Sequence, residues 1–196
     1  MSKPDPIEVQ CKGGVVTVRP LAASDRAALQ AFEHEFPTHD LLFLRRDLTH
    51  ADEIERWIED DAAGRLHTLV ATREATLLAV AVILPGEAKW SPHVGELLVL
   101  VSPSARGLGL GRRLTEQAFR LAVSLDLEKI IAQMTTDQVG AIEVFENLGF
   151  KAEALLREHV KDRDGSKHDL VILSHDVARF AAQQQAYGVN EASTDA

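Results

Sequence analysis

The feature that most constrains this 196-residue chain is a buried strand that runs directly into a glycine-rich turn and then into a helix. The apolar run Leu97–Val101 has the length of a strand that is buried on both faces, and Ser102-Pro103 ends it. Glycine then alternates with leucine up to Gly111, and apolar residues recur on one helical face from Leu110 to Leu125. This order of elements is typical of an anion-binding turn.

A glycine turn before a helix favours an anion for simple physical reasons. Glycine lacks a β-carbon, so its backbone approaches a ligand closely and adopts bends that strain other residues. The N–H groups of the first helical turn have no acceptor within the helix, and the helix dipole adds positive potential behind them. Arg106, Arg112 and Arg113 add positive charge. The sequence therefore predicts a phosphate or pyrophosphate ligand.

Spacing excludes two common phosphate-binding motifs. The dinucleotide fingerprint requires glycine where this chain has Arg112, and the triphosphate-binding loop requires Gly-Lys where it has Arg112-Arg113. What remains is Arg106-x-x-Gly109-x-Gly111 after a strand that ends in Val101-Ser102-Pro103. This pattern resembles the signature [Arg/Gln]-x-x-Gly-x-[Gly/Ala] of the GCN5-related N-acetyltransferases (GNAT). The resemblance implies that the turn holds the pyrophosphate of acetyl-coenzyme A (acetyl-CoA) at Arg106, Gly107, Leu108, Gly109, Leu110, Gly111 and Arg112.

A second stretch carries the same resemblance. Ala141-Ile142-x-x-Phe145-x-x-Leu148-Gly149-Phe150 is similar to the family's helix A-I-x-x-Tyr-x-x-x-G-F. The apolar strand Lys129–Met134 lies between the two motifs, and a strand–helix–strand unit implies a parallel pair with a right-handed crossover. In the family the coenzyme A (CoA) chain runs between these two strands. The resemblance implies further CoA contacts at Val99, Leu100, Val101, Gln138 and Phe145.

The strand and helix patterns predict an α/β (α+β) fold with a mixed central sheet of about seven strands flanked by about four helices, and the resemblance implies that this is the GNAT fold. Asp25, Asp52 and Asp137 are predicted helix caps. Residues 1–14 are expected to be a loose lead-in, 15–176 the acetyltransferase domain, and 177–196 a tail with a helix and a disordered end. Strands are predicted over 15–19, 66–72, 76–84, 95–101, 129–134, 151–161 and 168–174.

Composition limits the partners. The chain has 21 basic and 30 acidic residues and a net charge of −9, which argues against non-specific nucleic-acid binding. No apolar run approaches the ~20 residues of a membrane span, and no signal-peptide pattern is present. Cys11 is the single cysteine, so a cytoplasmic location is expected.

Asp162-x-Asp164-Gly165 lacks the glutamate and flanking helices of an EF-hand, so no metal site is predicted. Relatives often dimerise, which allows a homodimer.

The resemblance implies direct transfer of an acetyl group from acetyl-CoA to a primary amine of a small molecule, an amino acid analogue or a peptide N-terminus. Glu96 on the central strand is the first candidate general base, although a register slip of one residue would turn it away from the cleft. His93 is the alternative, since histidine titrates near neutral pH. A backbone N–H near Val99 or Leu100 is the expected oxyanion donor.

Three interpretations remain open at this point. Phe145 stands where relatives often have a tyrosine that acts as general acid, which favours a non-catalytic acyl-CoA-binding module as the alternative to an acetyltransferase. An unrelated phosphate-binding module, such as a nucleotide-dependent kinase, fits poorly because both nucleotide motifs fail.

The resemblance places the acceptor wall in a region whose charged residues face either an amine or only solvent: Glu33, His34, Glu35, His39 and Asp40.

Overall fold

The computed structural model describes residues 4–41, 50–86, 88–162 and 164–177, and in this part of the chain one mixed sheet of eight strands carries helices on both faces. The strand order across the sheet is β1-β2-β3-β4-β5-β6-β8-β7. The strands are β1 (Ile7–Cys11), β2 (Gly14–Pro20), β3 (His67–Arg73), β4 (Thr76–Pro85), β5 (Val94–Val101), β6 (Lys129–Thr135), β7 (Lys151–Lys161) and β8 (Lys167–Asp176). The helices are α1 (Arg26–Glu33), α2 (Ala51–Ala62), α3 (Leu110–Ser124) and α4 (Val139–Asn147).

The predicted fold class is confirmed, with one strand more than expected. The additional strand is β1, which pairs antiparallel with β2, so the expectation of a loose lead-in is wrong for these residues. Ile7, Val9 and Cys11 alternate with polar residues, and Val9 and Cys11 are buried against the sheet. The predicted caps Asp52 and Asp137 are also wrong, because His50 and Gln138 occupy the N-cap positions. The predicted tail beyond Val177 lies outside the described residues.

Helices α3 and α4 cover one face of the sheet, and α1 and α2 cover the other. Side chains of β5 alternate between these faces: Leu97 joins the core beneath α3, and Leu100 joins the core beneath α1 and α2. Glu96 has the same parity as Leu98 and Leu100, so its side chain lies on the α1/α2 face. This alternation places the Glu96 side chain on one face of the sheet, a question that the sequence left open.

Strands β5 and β6 separate toward their carboxyl ends. They pair in parallel at Val94, Gly95 and Glu96 of β5, which oppose residues 129–131 of β6. Beyond Glu96, β5 continues to Val101 without a β6 partner in the described pairing. The sheet therefore opens into a gap between the carboxyl halves of this parallel pair.

Asp25 stabilises the entry to α1 through a buried ion pair. Its carboxylate accepts two hydrogen bonds from Arg19, both of 2.7 Å, and one from Ala22 N–H (2.9 Å). The Arg19 hydrogen bonds lower the pKa of Asp25 below its ordinary value of 3.8. We expect Asp25→Asn to lower the free energy of unfolding by about 2 kcal/mol at pH 7. Because the folded state has the lower pKa, this difference shrinks as the pH falls below 3.8 toward that lowered pKa.

Urea unfolding of both proteins at pH 7 and at pH 3 measures this effect. Asp52→Asn is the matched control, since Asp52 pairs with Arg56 on the surface (3.1 Å, 66% exposed) and such pairs contribute little. Equal stabilities of Asp25→Asn and Asp52→Asn at pH 7 would contradict the assignment.

Candidate functional site

The direction of the main-chain groups along β5 follows from its hydrogen bonds. At the carboxyl end, Ser102 N–H donates to Leu78 O (2.8 Å) beside β4. At the amino end, His93 O accepts from Lys129 N–H (3.1 Å) of β6. Successive residues of a strand direct their N–H and C=O groups to opposite sides. Even-numbered residues of β5 therefore face β4, and odd-numbered residues face β6.

This alternation gives the gap a main-chain lining. Val99 and Val101 direct their N–H and C=O groups into the gap, where the described part of β6 offers them no partner. The carbonyl of Val101 accepts a long hydrogen bond from Arg106 Nε (3.4 Å). The backbone of Leu100 instead faces Val80 of β4. An extended ligand that contains amides can therefore pair with β5 at two alternate residues, as a further strand would. Of the three predicted contacts on this strand, Leu100 is the one whose main chain the sheet already uses.

The glycine turn forms an open cradle at the carboxyl end of the gap. Gly107 (φ +75°) and Gly109 (φ +81°) both adopt the left-handed conformation that favours glycine. A β-carbon on either would meet no described atom within 4 Å, so the space beside the turn is open. Gly109 is the N-cap of α3, and the first amides of that helix, including those of Gly111 and Arg112, have no acceptor within it. These features fit the diphosphate of CoA.

The β1–β2 hairpin holds this turn from outside. Lys12 N–H donates to Leu108 O (3.1 Å), and a β-carbon on Gly13 would lie 3.1 Å from Leu108 Cδ1. Leu110, 1% exposed, anchors the start of α3 in the core. The carbonyl of Leu108 is thus engaged by the hairpin. This contact could not be predicted from the sequence pattern.

The three arginines of the motif lie at the rim of the cradle, each paired with a carboxylate. Arg106 pairs with Asp40, whereas Arg112 and Arg113 both pair with Glu116 at 3.1 Å. All three side chains are more than half exposed. A diphosphate in the cradle would attract these three arginines electrostatically, and it would compete for them with Asp40 and Glu116.

Residues 34–41, here called the post-α1 segment, cross the carboxyl end of the sheet. Glu35 accepts a hydrogen bond from the hydroxyl of Ser102 at the end of β5. Asp40 pairs with Arg106 of the cradle, and His39 reaches Thr135 at the end of β6 (Nε2 to Oγ1, 3.4 Å). The segment therefore contacts both strands that border the gap, and its place in the acceptor wall stays a prediction.

His39 lies between two carboxylates. Its Nδ1 is 2.9 Å from Asp162 Oδ2, and its Nε2 is 2.9 Å from Asp137 Oδ2. The hydrogen bond with Asp162 raises the pKa of His39, with a further contribution from Asp137. Although desolvation opposes it, the hydrogen bond with Thr135 and the charge of His39 lower the pKa of Asp137. The ring of His168 lies against that of His39, with centroids 4.8 Å apart.

The two candidate general bases lie at different positions along β5. Glu96 is half-buried at the point where the pairing with β6 ends, on the α1/α2 face. His93 is exposed at the amino end of the strand, about 20 Å from Val99 at ~3.3 Å per residue. The structure therefore brings Glu96, and not His93, toward the gap.

The remaining predicted residues lie on α4. Gln138 is the N-cap of this helix, and its carbonyl accepts from the amides of Ala141 (3.0 Å) and Ile142 (3.1 Å). Phe145 is 5% exposed and packs edge-to-face on Phe150 with centroids 4.7 Å apart. Phe145 is thus a core residue, and its ring has no proton to donate.

Comparison with known protein families identifies a match for this chain. The model of the family described as Acetyltransferase (GNAT) matches residues 27–150. YwnH of Bacillus subtilis (strain 168), provisionally named a phosphinothricin acetyltransferase, is 29% identical over 42% of this chain and 50% of its own length. Mycothiol acetyltransferase of Geodermatophilus obscurus is 36% identical over 32% of this chain and 20% of its own length. The chain therefore spans half or less of the curated relatives it matches.

Solved structures share the fold. The ribosomal-protein-alanine N-acetyltransferase of Brucella melitensis has a TM-score of 0.72 at 23% identity, covering 81% of this chain and 98% of its own. The spermidine N-acetyltransferase of Vibrio cholerae, in complex with CoA and spermine, has a TM-score of 0.71 at 18% identity, covering 85% and 98%. Within the described residues, no helix has the length and apolar character needed to span a membrane.

Proposed function

The chain belongs to the acetyltransferase (GNAT) family, and on that premise we propose that it transfers an acetyl group from acetyl-CoA directly to a primary amine. The observation that carries the proposal is the continuous main-chain surface formed by the gap beside Val99 and Val101 and the cradle at residues 107–112. The gap suits an extended chain with amides, and the cradle suits a diphosphate. Acetyl-CoA has both parts in that order, and it supplies a thioester as the acetyl donor.

We assign the polar roles to groups that the fold already directs at the gap. Val99 N–H is the oxyanion donor, because it faces the gap and Leu100 N–H does not. Glu96 is the general base that takes the proton of the attacking amine, through a water molecule, from the α1/α2 face. The described part of the chain contains no tyrosine to act as the acid, since the single tyrosine, Tyr187, lies outside it. A thiol with a pKa of about 8.5 leaves as the thiolate, so water suffices to protonate it.

The acceptor is proposed to be cationic before it loses its proton. Three carboxylates lie at the end of α1 and in the post-α1 segment: Glu33, Glu35 and Asp40. Glu33 is 6% exposed, and its Oε2 lies 3.3 Å from Nδ1 of the exposed His34 without accepting a hydrogen bond of good geometry. A buried carboxylate with so weak a partner favours an incoming ammonium. Small amines, amino acid analogues and peptide N-termini all satisfy this requirement, and the single cysteine fits the cytoplasm as the place of reaction.

The alternative function is a module that binds acyl-CoA without catalysis, and Phe145 is the observation that favours it. Release of CoA thiol from acetyl-CoA, followed with and without a panel of amines, distinguishes the two. Amine-dependent thiol release with formation of the acetylated amine supports the transferase. Tight binding of CoA, together with thiol release that no amine in the panel raises above the amine-free rate, would support the non-catalytic binding module instead.

Affinity for CoA is expected to depend on the bare backbone of Gly109. Gly109→Ala places a methyl group beside the amides of the cradle, so we expect the Kd for CoA to rise about 30-fold, or ~2 kcal/mol. Calorimetric titration measures this change.

Gly64 provides a matched control, because it also has a left-handed backbone (φ +73°) with no described atom within 4 Å of a β-carbon. Gly64→Ala carries the same backbone strain at the end of α2, away from the cradle. Equal loss of CoA affinity in Gly64→Ala and Gly109→Ala would contradict a specific role for the turn.

A further inference from the structure

A second cluster of chemically active side chains lies beside the gap, and the acetyl transfer proposed above does not use it. His39 comes from the post-α1 segment, whereas Asp162 and His168 come from the hairpin between β7 and β8. One ligand atom from each of these three residues lies within 4.8 Å of the other two. All three residues are half-buried, so the cluster is neither a solvated surface patch nor part of the core.

The spacing of these atoms suits a metal ion. Asp162 Oδ2 lies 2.9 Å from His39 Nδ1 and 4.0 Å from His168 Nε2. Two ligands bound to one tetrahedral zinc ion at about 2.1 Å are roughly 3.4 Å apart. The two observed separations bracket that value, so small side-chain rotations bring the ligand atoms to bonding distance.

The surroundings of His39 resemble those of a metal-bound histidine. Its second ring nitrogen, Nε2, lies 2.9 Å from Asp137 Oδ2 and 3.4 Å from Thr135 Oγ1. A ligating histidine usually donates its other N–H to a carboxylate, which fixes the tautomer and orients the ring. Asp137 is in place for this role, whereas Asp162 contacts the other ring nitrogen, Nδ1.

We propose that His39, Asp162 and His168 bind one divalent transition-metal ion of the zinc type, with Asp137 orienting His39. Two imidazoles and one carboxylate are a ligand set that zinc accepts, and a fourth position is left for water or for the hydroxyl of Ser166, which lies 3.2 Å from His168 Nε2. The ion would join the post-α1 segment to the β7–β8 hairpin at the carboxyl end of the gap.

Titration with Co²⁺ tests this site without any acetyl transfer. The protein is stripped with chelator, dialysed and titrated with Co²⁺ in the absence of CoA. The visible absorption band and the bound equivalents are recorded. We expect one equivalent with the intense band of a tetrahedral site, displaced by one equivalent of Zn²⁺. His39→Ala and His168→Ala should each abolish this band, and Asp137→Asn should weaken the affinity at least tenfold.

Matched controls are His34→Ala and His159→Ala, which remove exposed histidines at the end of α1 and on β7. Circular dichroism of the metal-free variants checks that each is folded before titration. The absence of one-to-one binding, or a tetrahedral band that persists in both His39→Ala and His168→Ala, would overturn the proposal. The cluster would then be an ion-pair network held by a protonated His39. Because CoA is absent, this result is independent of whether the protein acetylates an amine.

Discussion

Replacing Glu96 by glutamine is expected to lower kcat/KM for acetyl transfer about 100-fold, with the Kd for CoA unchanged. Glutamine preserves the size and the polarity of the side chain but cannot accept the proton of the amine. The half-buried position of Glu96, where β5 and β6 separate, places the carboxylate beside the gap on the side of α1 and α2. Steady-state thiol release across a range of pH, with calorimetry for CoA, measures both quantities.

His93→Ala is the matched control for Glu96→Gln. His93 lies at the far end of the same strand and is exposed, so its removal is expected to change kcat/KM less than twofold. A pH profile that is unchanged in Glu96→Gln but altered in His93→Ala would reverse the assignment. Unchanged profiles in both variants would exclude this pair as the base.

Removing a single main-chain N–H from β5 is expected to distinguish the two candidate oxyanion donors. An ester in place of the Val99 amide, introduced with the corresponding α-hydroxy acid, should lower kcat about 100-fold with little change in stability. Its N–H faces the gap, so the sheet loses no hydrogen bond. An ester at Leu100 removes an N–H that faces Val80, so we expect the unfolding free energy to fall by about 1 kcal/mol with kcat nearly unchanged.

Each ester is the control for the other, since the two substitutions are chemically equivalent and adjacent in sequence. Thiol release and urea unfolding of both proteins measure the two effects. A loss of kcat in the Leu100 ester alone would show that the gap is not lined as the hydrogen-bond alternation of β5 requires.

Local pattern was sufficient to predict the central part of this fold. The apolar run before Ser102 and the glycines after it identified β5, the turn and α3 within a residue or two, because each element has its own short-range signal. The parallel pairing of β5 with β6 followed from the helix between them. β1 was not predicted, because prolines at positions 4 and 6 are typical of irregular chain and the alternation of Ile7, Val9 and Cys11 is short.

The sequence could not predict contacts between distant segments. His39 and Asp162 are far apart in the chain, and only the crossing of the post-α1 segment over the sheet brings them to 2.9 Å. The hydrogen bond from Lys12 to Leu108 likewise depends on the position of the whole β1–β2 hairpin. The orientation of Glu96 required the register of β4 against β5, which a change of one residue would have reversed.

The measurement that tests the central claim most directly is an amide NMR titration of the isotopically labelled protein with CoA. If the turn holds the diphosphate and β5 holds the extended arm, the amide signals of residues 107–112 and of Val99 and Val101 shift together and saturate at one equivalent. Gly64 and the residues around it should remain unperturbed. Saturable binding of CoA that leaves the amides of residues 107–112 unshifted would contradict the account.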